Sequence, residues 1–171
     1  MGISVLSCRG WVGNTKNPSI DLRLDSGADI TLISEEYYRS LISPPAMQQG
    51  LKMKLWQLMD KHASLKGFVR MPIFIMDGNG ELIETEAEAY IVPGMTVPIL
   101  LGEDYHLTYD INIARNTENG TSIHFAGTKY SIWVTNAEKT ADFNKLRPSA
   151  YLSAHFVKAK IHRRNQAKRR K

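Results

Sequence analysis

The stretch Leu22-Arg23-Leu24-Asp25-Ser26-Gly27-Ala28-Asp29-Ile30-Thr31-Leu32-Ile33-Ser34 constrains this chain more than any other. Ile20, Leu22 and Leu24 alternate with Asp21 and Arg23, the period of a half-buried strand. The strand runs into Asp25-Ser26-Gly27, and the chain then turns apolar again at Ile30-Thr31-Leu32-Ile33, a short buried strand. A carboxylate at the tip of such a turn sits at the edge of a packed core, partly shielded from water and within reach of backbone donors. Gly27 suits the turn because it lacks a Cβ and tolerates φ > 0. Ala28 is small enough to let another segment pass close by. Alone, Asp-Ser-Gly reads as a strand ending in a polar turn. The apolar flanks and a second motif downstream make it a candidate site.

The second motif is Val97-Pro98-Ile99-Leu100-Leu101-Gly102-Glu103-Asp104-Tyr105. A Leu-Asp-Ser-Gly-Ala turn followed well downstream by aliphatics and Gly resembles the retropepsins, the aspartic proteases of retroviruses and retrotransposons. The match is closer to the retrotransposon (gypsy-like) branch and covers roughly residues 5–134. The resemblance implies an all-β fold, a closed barrel of the acid-protease type with one or two short helices. It implies an aspartic endopeptidase, acting on peptide or polyprotein substrates, that is active only as a homodimer. Asp25 from each chain would meet at the two-fold axis, with no cofactor and no metal.

The same resemblance distributes roles. Ser26 would hydrogen-bond to the partner's loop, and Ala28 completes that loop. The Gly27 amide would hold the carboxylates and its carbonyl would bind substrate backbone. Asp29 would contact substrate main chain, and Leu100 would line the substrate cleft. Ile99, Leu101 and Gly102 would pack beneath the loop and keep it rigid. Lys54–Leu58 and Ser64–Arg70 flank a polar tip at Asp60-Lys61-His62-Ala63, in the position of a retropepsin flap, so Lys61 and His62 become candidate substrate contacts. Trp56 and Phe68 are either flap-strand anchors or core residues.

Two departures stand out. No glycine occurs from Leu51 to Lys66, unlike the glycine-rich viral flap. Viral members place an Arg directly after the downstream Gly, paired with the Asp of the Asp-Ser-Gly-Ala-Asp run. Here that position is Glu103, which would repel Asp29 at close range, leaving Arg23 or a backbone donor as partners for Asp29. A second reading therefore stays open: a weakly active or inactive retropepsin-like binding or dimerisation module.

The remaining periodicity is β. Ser4–Val12, Met71–Met76, Glu81–Val92, Tyr109–Ala114, Ser122–Ala126 and Tyr130–Thr135 read as strands, and Asp77-Gly78-Asn79-Gly80 is the strongest hairpin signal. In the returning strand Leu82, Ile83, Thr85, Ala87, Ala89 and Ile91 alternate with Glu81, Glu84, Glu86 and Glu88. Ser34 caps a short helix carrying Glu35 and Glu36 in its first turn. Glu103–Leu107 forms a helical turn. Asn119-Gly120-Thr121 fits a glycosylation sequon but reads better as a hairpin turn.

Strand periodicity stops after Asn136, so residues 1–136 form the candidate domain and residues 137–171 a basic extension or polyprotein linker. Residues 158–171 hold eight Lys or Arg and no acid, so the net +5 of the chain resolves into about −3 for residues 1–157 and a strongly basic end. Such a run stays solvated and largely disordered. It serves as a linker, binds nucleic acid, or directs nuclear import.

The sole cysteine, Cys8, excludes an internal disulfide and suits a reducing, cytoplasmic compartment, with the nucleus an alternative through the basic tail. No apolar run reaches membrane-spanning length, and the N-terminus lacks signal-peptide layout. Met1-Gly2 followed by Leu6 fails the myristoylation pattern. His62, His106, His124, His155 and His162 lie too far apart for a helical metal motif and are read as core or surface residues.

Overall fold

The computed structural model describes residues 6–49, 65–116 and 118–136. Among them are nine strands: β1 (Leu6–Val12), β2 (Ile20–Leu24), β3 (Leu32–Ser34), β4 (Phe68–Met76), β5 (Leu82–Val92), β6 (Ile99–Leu101), β7 (Ile111–Asn116), β8 (Gly120–Phe125) and β9 (Ser131–Asn136). Two helices, α1 (Glu35–Ser40) and α2 (Glu103–Thr108), are each only six residues long. The strands run in the order β2-β6-β3-β5-β4-β1-β9-β8-β7, and β1 also pairs with β2, closing the first six into a barrel. The architecture is all-β and barrel-like.

Alternation explains the closure. On β5, Ile83, Thr85, Ala87, Ala89 and Ile91 point inward, while Glu84 and Glu86 face water. Leu22, Ile33, Met71, Ile73, Ile91 and Ile99 are fully buried and draw the barrel walls together. Each such side chain contributes about 1.5–3 kcal/mol by leaving water.

Short β6 is the element that matters for the site. It lies between β2 and β3, parallel to the first (Arg23↔Leu100, Leu24↔Leu101) and antiparallel to the second (Leu32↔Leu100, Ile33↔Ile99). Two strands that are neighbours in sequence are thus held apart by a third from about 70 residues later, and the turn joining β2 to β3 must arch over the end of β6.

Local chemistry closes the ends. The Asp77 carboxylate accepts hydrogen bonds from the amides of Asn79 (2.9 Å) and Glu81 (2.7 Å), and Gly80 sits at φ +83°. The expected β4–β5 hairpin is therefore built on an Asx turn. Ser34 caps α1, its Oγ accepting from the Tyr37 amide at 3.2 Å. The β7–β8 turn lies between Asn116 and Gly120, which pair across it; Asn119 is in the turn and Gly120, at φ +95°, opens β8.

Several expectations shift. The stretch expected as two strands, one ending at Arg70 and one starting at Met71, is a single β4. Pro72 interrupts nothing, because its nitrogen points, like its carbonyl, to the side where β1 is leaving; that carbonyl accepts from Gly13 N at 2.8 Å. Leu82, placed among the inward residues of β5, is 49% exposed and shares the outer face with the glutamates. The strand expected from Ile30 begins at Leu32. Gly27 does not use a positive φ. The proposed flap tip, with Trp56, Lys61 and His62, lies outside the described residues, as does the basic extension. Phe68 packs its ring against Tyr90, centroids 5.8 Å apart. No helix among the described residues is long and apolar enough to cross a membrane.

Candidate active site

Asp25 stands one residue beyond β2, where the barrel wall opens around the end of β6. Its amide donates to the Leu101 carbonyl at 3.0 Å, continuing the β2–β6 ladder for one more rung. Its carboxylate Oδ1 accepts the Gly27 amide at 3.0 Å, and its carbonyl accepts the Ala28 amide at 3.1 Å. The turn thus wraps its own acid, leaving Oδ2 without a partner among the described residues. Asp25 is half-buried, whereas Ser26, Gly27 and Asp29 are exposed and Ala28 is fully buried. A Cβ on Gly27 would lie 3.2 Å from Asp25 Oδ1, so a larger residue there would press on the carboxylate.

Four consecutive residues brace this loop from below. Besides Leu101 on Asp25, the Glu103 amide donates to the Ala28 carbonyl at 2.7 Å and the Asp104 amide to the Asp29 carbonyl at 3.3 Å. The Gly102 amide donates to Thr31 Oγ1 at 3.0 Å, and that hydroxyl donates to Asp104 Oδ1 at 2.8 Å. Backbones approach so closely that a Cβ on Gly102 would meet the carbonyl carbon and oxygen of Ile30 at 2.5 Å and the Ala28 oxygen at 2.8 Å. No side chain fits there, which is why this position is glycine.

Ile99, Leu101 and Gly102 therefore sit beneath the loop, the first two fully buried, and Leu100 is half-buried on the same strand. The sequence reading missed Thr31 and Asp104. A threonine hydroxyl inside an apolar strand needs a partner when buried, and that was the available signal for Thr31. Asp104 had only its place in the first turn of α2. Asp29 and Glu103 do not form the pair known from viral members. Glu103 bonds to Ala28 and Asp29 to Asp104 through the backbone, and among the described residues neither the Asp29 nor the Glu103 carboxylate has an ion-pair partner. Arg23 does not reach Asp29 as a salt bridge.

The described histidines take structural places. His106 is buried, with Nδ1 2.6 Å from the Gly102 carbonyl oxygen, so Nδ1 carries the hydrogen; its Nε2 has no partner among the described residues. His124 Nε2 lies 3.0 Å from Ser122 Oγ on the same strand face. Among the described residues no group of three or more His, Cys, Asp or Glu is placed to hold a metal ion.

One chain presents one carboxylate, held on one oxygen and open on the other, on a loop tied by hydrogen bonds to residues 101–104. Such a group would accept a proton from water or donate one to a carbonyl when a second acid shares its proton.

The chain is similar in structure to the retroviral protease-like domain of Ddi1 from Leishmania major, at 9% identity over 78% of this chain and 96% of that one, with a TM-score of 0.53. It also aligns with the EIAV protease complexed with the inhibitor HBY-793, at 18% identity over 63% of this chain and 90% of that one, with a TM-score of 0.43. No protein-family model and no curated protein matches the sequence. The fold is retropepsin-like.

Proposed function

We propose that this chain is an aspartic endopeptidase of the retrotransposon (gypsy-like) type, acting on peptide bonds of a polyprotein as a homodimer. The observation that carries this reading is Asp25 itself: a half-exposed carboxylate, one oxygen on the Gly27 amide at 3.0 Å, its loop tied to residues 101–104.

Two Asp25 groups meeting across a two-fold axis about 3 Å apart cannot both ionise, so they share one proton. The ionised member takes a proton from water, and the resulting hydroxide attacks the scissile carbonyl. The protonated member donates to the carbonyl oxygen, giving a tetrahedral diol. Collapse breaks the C–N bond, with the proton passing to the leaving amine. No acyl-enzyme forms. Ser26, exposed and without a side-chain partner among the described residues, is available to bond to the partner's loop. On this reading Gly27, Asp29 and Leu100 contact the substrate, as do Lys61 and His62, which lie outside the described residues.

The test is digestion of a peptide library by the full-length protein on the acid side of neutral, with and without pepstatin, alongside Asp25→Asn. The variant keeps an oxygen for the Gly27 amide and so retains the fold. Pepstatin-sensitive cleavage that vanishes in Asp25→Asn supports the reading. Cleavage persisting in the purified variant overturns it.

The second reading is a binding or dimerisation module whose basic end, residues 158–171, engages nucleic acid. Glu103 at the position of the viral Arg favours it. It expects no cleavage at any enzyme concentration, and nucleic-acid binding that ignores base sequence, weakens steeply with salt and is lost on truncation after Val157.

A further inference from the structure

Thr31 and Asp104 are separated by 73 residues, yet their side chains meet beneath the Asp25 loop. Thr31 is fully buried. Its hydroxyl uses both of its capacities, accepting the Gly102 amide at 3.0 Å and donating to Asp104 Oδ1 at 2.8 Å. The same Oδ1 accepts the Tyr105 amide at 2.8 Å. The Gly102 N-cap of α2 makes no side-chain cap bond, so Asp104 compensates from within the first turn, where a negative charge suits the helix dipole. The Thr31 carbonyl meanwhile accepts the Tyr90 amide at 3.0 Å, anchoring the residue to β5. Thr31 thus ties β5, through its carbonyl, to the Gly102 amide and the first turn of α2, through its hydroxyl.

We propose that Thr31 and Asp104 are a positioning pair for Asp25, a neutral-to-anion hydrogen bond fixing the loop where viral members use an Arg–Asp ion pair. This rests on the aspartic-protease reading. The pair holds the Gly102–Asp104 backbone in place, and that backbone presents the amides of Glu103 and Asp104 to the carbonyls of Ala28 and Asp29. Releasing it leaves the Gly102 amide buried without a partner and frees the loop to drift. Because near-attack geometry tolerates little misplacement, the loss falls on kcat.

The test compares full-length wild type, Thr31→Val and Thr31→Ser at saturating enzyme concentration, with active sites titrated by pepstatin. Valine keeps the shape and loses the hydroxyl; serine keeps the hydroxyl. Thr31→Val is expected to lower kcat per titrated site about tenfold or more, with KM within about twofold, and to speed amide exchange at Gly27, Gly102 and Glu103. Thr31→Ser is expected to recover most of that loss. A merely structural residue would lower the melting temperature and leave kcat per titrated site unchanged, and that result overturns the proposal. If Thr31→Val does not fold, Asp104→Ala, at a half-exposed position, carries the same comparison. If the wild type cleaves nothing, the protease reading fails, and exchange alone decides the clamp: equal protection of those amides in wild type and Thr31→Val overturns it.

Discussion

The amide of Glu103 donates to the carbonyl of Ala28 at 2.7 Å, directly above a glycine that has no room for a side chain. The two facts are one constraint. The bond forms only if the 101–104 segment passes within backbone contact of the Asp25 loop, and that approach is what Gly102 permits. Its φ of −83° is ordinary, so the requirement is space alone.

Gly102→Ala is therefore expected to damage both stability and site. The added methyl meets main-chain atoms of Ile30 and Ala28, which cannot swing aside as a side chain would. Overpacking of this kind costs about 1–3 kcal/mol. The urea midpoint should fall, and peptide cleavage should fall further than the unfolded fraction explains. A midpoint equal to that of wild type would show that the two segments separate easily.

Cys8 tests the barrel wall rather than the site. It is 4% exposed on β1, and burial, with a smaller effect of the nearby Asp21 charge, pushes its thiol up from 9.0 to about 12. The thiolate is the reactive form, so at pH 8 the native protein should resist Ellman's reagent and react fully in denaturant. The difference in thiolate alone is about a thousandfold. Labelling of native protein within minutes would mean that β1 opens readily.

Acid stability should depend on α1. The Glu35 carboxylate is held below the usual range chiefly by a hydrogen bond from Lys66 (2.8 Å) and secondarily by Arg39. Glu36 is lowered as well, by its own backbone amide, then the Ser34 hydroxyl and the Gly94 amide. A depressed folded value means stability that is present above the ordinary value of 4.5 and lost as pH falls through the folded value. Denaturant midpoints should hold steady from neutral pH to about 4.5 and decline below it. Glu35→Gln should start lower and decline less steeply. Parallel acid limbs for the two proteins would remove Glu35 from the account.

Much of the barrel was legible because its signals are local. Leu22 and Leu24 declare β2 by alternation, and Asp77-Gly78-Asn79-Gly80 declares a hairpin because Asp77 bonds to amides only two and four residues away. Ser34 and Glu36 declare a helix start for the same reason. What periodicity did not reveal was the insertion of β6 between β2 and β3, since Ile99-Leu100-Leu101 reads alike as any buried strand. Thr31 was absorbed into the apolar run it interrupts, because its partners, Gly102 and Asp104, come from more than 70 residues away. Leu82 was misplaced because it is apolar; its even position with Glu84 and Glu86 set its face. Long-range hydrogen bonds decide the site, and they leave little trace in a period of two.

Activity should require a second copy of the chain. Asp25 is the sole acid in an Asp-Ser-Gly turn here, so a lone chain lacks the second carboxylate and half of the cleft. Specific activity should rise with enzyme concentration and reach a plateau, with the midpoint reporting dimer dissociation. Asp29 and Glu103 both lack ion-pair partners among the described residues, so the viral Arg–Asp contact contributes nothing, and the midpoint should be weak, on the order of micromolar, or about −8 kcal/mol. Glu103→Arg should lower the midpoint by supplying Asp29 with a cation. Because Asp29 is exposed, that gain should stay at about 1 kcal/mol or less. Mixing wild type with an excess of Asp25→Asn should suppress cleavage by forming heterodimers with a single carboxylate. Light scattering that finds a fully active monomer at every concentration would remove the two-fold site, and the shared-proton mechanism with it.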